Sequence, residues 1–412
     1  MRTIFSSIGT LLLSAAILLT GGGLLSTLIA VRAGLEGFPL IAIGIMTSAY
    51  YVGFTAGCFG TPYLVKRVGH IRIFAALSAL IAAAVLSHAI FINIPLWIFL
   101  RIAVGFSFAG LYILIESWIN ERSSNSNRGK TLSIYRMVDL GAVTAGQFML
   151  TIADPKDFVL FSLVAILICL SIFPISLTKA AAPLPVVKTS LNIKKLIKVS
   201  PLAVVGVLSV GLANGAFWGI APIFVQQLGH PLVVVSMFMS IAILGGALMQ
   251  WPFGLLSDKF GRRSVLVVAA IGSVASGIVL WQFSAHSLFA LLSGGFLYGV
   301  FGMQIFGLSA AHANDYARPD EFISVSGGLL MLYGLGSIIG PLFAPVIMEL
   351  GSPQALFAYT ACIHFILVIY ALYRRTQREE VENTDDYVAI PLRVTPAIFK
   401  LDPRNILRKK KR

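Results

Sequence analysis

Charge is what this 412-residue chain has least of. Asp, Glu, Lys and Arg together make up 12% of it, where a water-soluble chain carries about 25%. That is too little polar surface to cover a soluble globule. Acids are scarcer than bases, 17 against 31, for a net charge of +14. The bases fall between apolar runs and at the C-terminus, without the interleaved aromatics of a nucleic-acid surface, so no nucleic-acid partner is expected. Only three cysteines occur, Cys58, Cys169 and Cys362, each inside an apolar run. With no CxxC and no Cys/His cluster, neither a disulfide framework nor a structural metal is expected. A P-loop, a nucleophile elbow and a convergent His/Asp pair are also missing. Their absence removes an ATP-driven pump on this chain alone and the usual membrane-enzyme chemistries. The expectation is no enzyme, no cofactor and no metal.

Hydrophobic length is what the chain has in abundance: 57% apolar residues and a mean hydropathy of +0.88. A membrane-crossing helix needs about 20 such residues in a row, and backbone polar groups in lipid must be satisfied within the segment. Spans are expected near 7–31, 40–63, 72–92, 95–118, 131–152, 157–178, 201–226, 232–254, 264–284, 287–309, 323–346 and 352–373. The first run exceeds the h-region of a leader and is read as an uncleaved helix. Alternate loops carry the basic residues: Lys66, Arg67 and Arg72; Arg122, Arg128 and Lys130; Lys179, Lys188, Lys194, Lys195 and Lys198; Lys259, Arg262 and Arg263; then Arg318. The opposite loops hold only Arg32 and Lys156. The positive-inside rule places the first set, and with it both termini, in the cytoplasm of a bacterial inner membrane.

The segment 179–200, with Pro183, Pro185 and five lysines, is the one long break in hydrophobicity. It divides the chain into a six-helix bundle over 1–178, a basic linker over 179–200, a second bundle over 201–374 and a basic tail over 375–412. The tail ends Arg408-Lys409-Lys410-Lys411-Arg412 and is expected against anionic lipid headgroups. The halves repeat weakly. Pro62 to His70 after span 2 matches Gly254 to Arg262 after span 8, with a basic residue two places before a glycine in each. Gly105 matches Gly299, and Asn120-Glu121 matches Asn314-Asp315. Parallel halves of this kind are a known transporter plan.

The string Gly254-x-x-x-Asp258-Lys259-x-Gly261-Arg262-Arg263 resembles the loop signature of the major facilitator superfamily, and the likeness covers the chain to about residue 375. It implies an all-α membrane fold of about twelve helices in two six-helix bundles, working by alternating access. It also implies a conformational latch at Asp258, with Lys259, Arg262 and Arg263 alongside; in physical terms Asp258 can pair with an arginine or cap a helix. The first-half copy departs from the signature, with Lys66 in the aspartate position, Pro62 in the first glycine position and His70 in the first arginine position. Gly336-x-x-x-Gly340-Pro341 in span 11 allows close helix approach and a bend. It is similar to the glycine–proline element of the superfamily's drug antiporters, which show it in span 5. The corresponding span-5 stretch here, Gly141 to Gln147, has glycines and no proline. Glu116 to Glu121 with Arg128-Gly129, and the tail around Val388 to Leu392, look similar to a bacterial subgroup of the superfamily.

Ionisable residues inside spans are functional candidates because they are costly there. Arg101 stands about 9 Å along span 4 from Pro95, and Arg101-x-x-x-Gly105 resembles the superfamily's span-4 motif, which implies proton or anion handling. Glu116 lies near the end of span 4. Arg136 and Asp139, three apart, share a face of span 5. A latch between Glu116 and Arg136 is expected, and Asp139 is a candidate for a coupling proton. Tyr50, Tyr112, Gln147, Asn214, Trp218, Gln250 and Gln304 are the candidate solute contacts, a set with few fixed charges. They favour a proton-coupled carrier, acting as a monomer among membrane lipids on a small uncharged or amphipathic organic solute. Efflux and uptake both stay open. A carrier of a small organic anion and a non-transporting sensor on the same fold are the alternatives.

Overall fold

In a computed structural model of the chain, residues 2–123, 128–177, 192–318, 321–377, 387 and 395 are described. Fifteen helices and no strands occur among them: α1 (Arg2–Leu35), α2 (Leu40–Val68), α3 (His70–Ile90), α4 (Ile94–Arg122), α5 (Arg128–Met149), α6 (Val159–Leu170), α7 (Ile172–Ser176), α8 (Ile193–Val199), α9 (Pro201–Gln227), α10 (Leu232–Phe260), α11 (Arg262–Phe283), α12 (Leu288–Gly302), α13 (Ile305–Tyr316), α14 (Phe322–Leu350) and α15 (Ala355–Arg375). Eleven stretches among the described residues are long and apolar enough to cross a bilayer. The twelfth expected span is α5. It forms a helix of 22 residues, yet Arg136, Asp139 and its hydroxyls make it too polar to qualify by composition alone. It is held instead by packing along α1.

Two spans are broken helices, each for a local reason. Pro174 has no N–H for the Leu170 carbonyl four residues back, and the helix breaks at Ser171 into α6 and α7. The Ser14 hydroxyl on α1 takes up the Ser171 carbonyl. The tenth span breaks at Met303–Gln304 and continues as α13 to Tyr316. It is thus longer than 287–309, and Asn314 and Asp315 lie in helix rather than loop. The linker 179–200 holds a helix at its end. Asn192 caps α8 by accepting the Lys195 N–H at 3.0 Å. The buried Leu196 packs over Gly328 of α14.

The chain divides into two compact units. One comprises Met1–Phe38, Ala49–Thr189 and Arg393–Arg412; the other Pro39–Ser48 and Ser190–Leu392. Inside the first unit α1 packs on α5, and α3 on α4 and α6. Inside the second, α9 packs on α14, and α11 on α12 and α15. The same pairing recurs at the same position of each half, which is the repeat seen faintly in sequence. The tightest seams are glycine seams. A Cβ on Gly336 would come within 2.7 Å of the Leu208 carbonyl, and one on Gly340 would overlap the Leu212 carbonyl. In the first unit a Cβ on Gly23 would lie 2.7 Å from the Val143 carbonyl and one on Gly146 would overlap the Thr20 carbonyl. Apolar side chains such as Trp251, Phe289 and Leu350 are exposed at 72%, 81% and 85%, which is an outward face suited to lipid.

Candidate functional site

The signature after α10 folds as a corner one residue long. Gly261 has φ +86°, and Gly69 between α2 and α3 has the same value. This is a region that L side chains avoid. A chain turning on one glycine leaves Asp258 in the last turn of α10 and Arg262 in the first turn of α11. The Arg262 guanidinium, 1% exposed, donates through Nη1 to Asp258 and, at 2.6 Å, to the Ser257 hydroxyl. Its Nε donates at 3.2 Å to Asp315 of α13, whose side chain is 3% exposed. Arg262 thus binds two acids, of which Asp315 is the more buried. Lys259 is exposed and lies over the Phe260 ring at 5.2 Å, whereas Arg263 is buried. Nearby, Asn314 and Ser326 exchange hydrogen bonds of 3.0 and 3.1 Å between α13 and α14. Glu321 receives Lys195 at 3.1 Å and Arg318 at 2.9 Å. Those two cations, Lys195 first, hold the Glu321 carboxyl below its ordinary value of 4.5.

In the first unit the Arg101-x-x-x-Gly105 spacing has a packing cause. A Cβ on Gly105 would overlap the Tyr50 carbonyl, so only glycine lets α2 come this close to α4. One turn away, the Arg101 guanidinium stands 4.5 Å over the Tyr50 ring. Among the described residues no carboxylate pairs with it, and its Nε is buried without a hydrogen-bond partner. Tyr50, Phe54 and Tyr112 continue as an aromatic run with ring centroids 6.2 and 6.1 Å apart. Arg136 and Asp139 form the expected i,i+3 pair at 3.5 Å, with side-chain exposures of 17% and 9%. Glu116, fully buried, accepts the Thr395 N–H at 3.2 Å on each oxygen and also the Thr395 hydroxyl.

The neutral candidates divide by role. Gln147 clasps α5 to α1, accepting from the Thr27 hydroxyl at 2.6 Å and donating to the Gly23 carbonyl at 3.1 Å. Gln304 bridges the break between α12 and α13, donating to the Gly246 carbonyl at 3.0 Å. Asn214 accepts from the Tyr298 hydroxyl at 3.3 Å, and its own amide nitrogen is buried without a partner. Trp218 is half-buried beside Phe217, and Gln250 is 8% exposed. Asp315, Tyr298, Tyr387 and Thr395 were not singled out by sequence. Asp315 had a usable signal, an acid at the matched position of both halves. Among the described residues no three His, Cys, Asp or Glu side chains gather as a metal site.

The Major Facilitator Superfamily model matches residues 10–251 and again residues 203–411. The uncharacterized MFS-type transporter YcaD of Escherichia fergusonii is 27% identical over 365 residues, spanning 88% of this chain and 94% of its own length. Its counterpart from Salmonella newport is 26% identical over 366 residues, spanning 88% and 93%. Among solved structures, the nucleoside transporter NupG aligns with a TM-score of 0.73 at 14% identity over 88% of this chain and 98% of its own. A D-xylose-proton symporter aligns at 0.71 and 14% over 92% and 100%. At such identities these structures establish the fold.

Proposed function

The chain belongs to the Major Facilitator Superfamily, a family of transporters rather than enzymes, and from that premise we propose that it is a proton-coupled secondary carrier of a small uncharged or amphipathic organic solute. The observation that carries this reading is that the charges buried in the second unit, Arg262, Arg263 and Asp315, lie in the first turn of α11 and the last turn of α13 rather than in mid-helix. In the second unit the deep polar groups are neutral: Asn214, Tyr298, Gln250 and Gln304. A site of neutral hydrogen-bonding groups and aromatics selects solutes by shape and polarity, because it offers an ion no counter-charge. The Arg136–Asp139 pair on α5 places a buried acid beside a half-buried guanidinium within a span, a group able to take up a coupling proton when the pair separates. The protein works in the inner membrane with both termini cytoplasmic, as a monomer among lipids, by alternating access of two six-helix bundles.

A second reading rests on Arg101. A buried guanidinium whose described neighbours include an aromatic ring and no acid suits a small organic anion. Counterflow separates the two. Proteoliposomes loaded with unlabelled solute are diluted into labelled solute, across a panel of nucleosides, sugars, amphipathic amines and monocarboxylates. Saturable accumulation of an uncharged or amphipathic member supports the first reading. Accumulation of monocarboxylates alone, lost in Arg101→Gln, replaces it with the second.

A further inference from the structure

The signature's first glycine has a purpose that a tight turn does not explain, because Gly254 lies inside α10. A Cβ built on it would strike the ring of Tyr387, overlapping Cδ1 and lying 3.0 Å from both Cε1 and Cγ. On α13, a Cβ built on Gly307 would overlap the hydroxyl of the same tyrosine and lie 3.4 Å from its Cζ. Two helices of the second unit thus lack side chains at the two points where one aromatic ring lies. The Tyr387 N–H donates to both carboxylate oxygens of Asp258, at 3.1 and 3.2 Å. The Arg262 guanidinium is 5.8 Å from the ring centroid. The ring thus lies against α10 and Arg262, the hydroxyl against α13, and the backbone N–H on Asp258.

The ring is not laid on the rim. Gly254 precedes the end of α10 by six residues and Gly307 the end of α13 by nine. At 1.5 Å rise these are depths of about 9 and 14 Å. Eight residues further along, Thr395 is fully buried on Glu116 of the first unit, and Glu116 is also six residues from its helix end. The sequence around Tyr387 complements the corner. Glu379, Glu380, Glu382, Asp385 and Asp386 precede it and the apolar run Val388 to Leu392 follows, while the corner carries Lys259, Arg262 and Arg263.

We infer that the slot between Gly254 and Gly307 is a docking site for the chain's own C-terminal segment, seated through Tyr387, and that docking restrains the Asp258–Arg262 corner. The tail is then an internal brake rather than only a membrane-facing appendage. The docking is independent of the transport reading, and only its effect on turnover rests on it.

The test uses the full chain with Cys58, Cys169 and Cys362 replaced by serine and one reporter, Val388→Cys, reacted with a membrane-impermeant maleimide. Labelling is expected to be slow in this parent. Tyr387→Ala, which alters no transmembrane helix and keeps the backbone N–H on Asp258, should speed it about tenfold or more, the change expected from losing the packing of an aromatic ring. Gly307→Ala and Gly254→Ala should do the same, and a second change discriminates between them. Tyr387→Phe should restore protection to Gly307→Ala, where the clash is with the hydroxyl, and not to Gly254→Ala, where it is with the ring. Equal labelling in the parent and Tyr387→Ala would overturn the docking, and so would a Gly307→Ala phenotype indifferent to Tyr387→Phe. In proteoliposomes Tyr387→Ala should raise flux severalfold. Faster labelling with unchanged flux would overturn the brake and leave the docking.

Discussion

Neutralising Asp315 should damage the protein more than neutralising Asp258, although the sequence signature points at Asp258. Both acids bind Arg262, but they differ in burial. The Asp315 side chain is 3% exposed and that of Asp258 is 27% exposed, against 1% for Arg262. Removing one partner of a buried pair leaves an uncompensated charge and costs about 3–5 kcal/mol. A pair open to solvent is screened and contributes about 0.2–1 kcal/mol. Asp315→Asn should therefore cost about 3 kcal/mol and Asp258→Asn about 1 kcal/mol or less, a difference of roughly 30-fold in the unfolding equilibrium at 1.4 kcal/mol per decade. Reversible unfolding in mixed detergent micelles, titrated with sodium dodecyl sulfate and followed by circular dichroism, reads both. Combining Asp315→Asn with Arg262→Ala should cost less than the sum of the singles, by about 0.5–3 kcal/mol. An Asp258→Asn variant as destabilised as Asp315→Asn, or strict additivity with Arg262→Ala, would refute the buried-acid reasoning.

Gly340→Ala places a methyl group on the Leu212 carbonyl and should cost about 1–3 kcal/mol of overpacking. Gly141→Ala meets nothing within 4 Å and should raise the melting temperature of purified protein slightly, by the roughly 0.5–1 kcal/mol that alanine gains over glycine inside a helix. Glu321, its carboxyl held below 4.5 by Lys195 and Arg318, contributes stability that is fully present above that value and lost as pH falls through the lowered one. Glu321→Gln should therefore lower the melting temperature at pH 7 and leave a smaller difference from the parent near pH 3, and a constant difference across that range would remove Glu321 from the acid response. Asp139→Asn should abolish solute-evoked proton movement while counterflow persists; proton movement equal to the parent's would take Asp139 out of the coupling.

Much of this architecture was written in local pattern. Long apolar runs and the alternation of basic loops mark the spans, because lipid forces a helix and the positive charges mark its ends. The corner at Gly261, the shared face of Arg136 and Asp139, and the small-residue seam at Gly336 and Gly340 depend on neighbours within four residues. The second acid on Arg262 did not, because Asp315 reaches it across 53 positions and only packing brings α13 beside α11. The break at Ser171 was legible in Pro174, whereas the break at Gln304 has no proline and depends on a contact with Gly246 on another helix. Helix α8 carries a local signal in its Asn192 cap, but its lysines made 179–200 read as a linker throughout. The tail gave least. Tyr387 and Thr395 have no periodicity to mark them, and their partners Asp258 and Glu116 lie 129 and 279 positions away. The basic tail's expected contact with headgroups lies outside the described residues.

The central claim, coupled solute transport, is met most directly by proteoliposomes loaded with a pH-sensitive dye and challenged with each panel solute. The account predicts a saturable, solute-evoked change of internal pH in the parent, absent from protein-free vesicles and from Asp139→Asn. Solute entry without any pH change, or a correctly folded protein that moves no member of the panel, would contradict it.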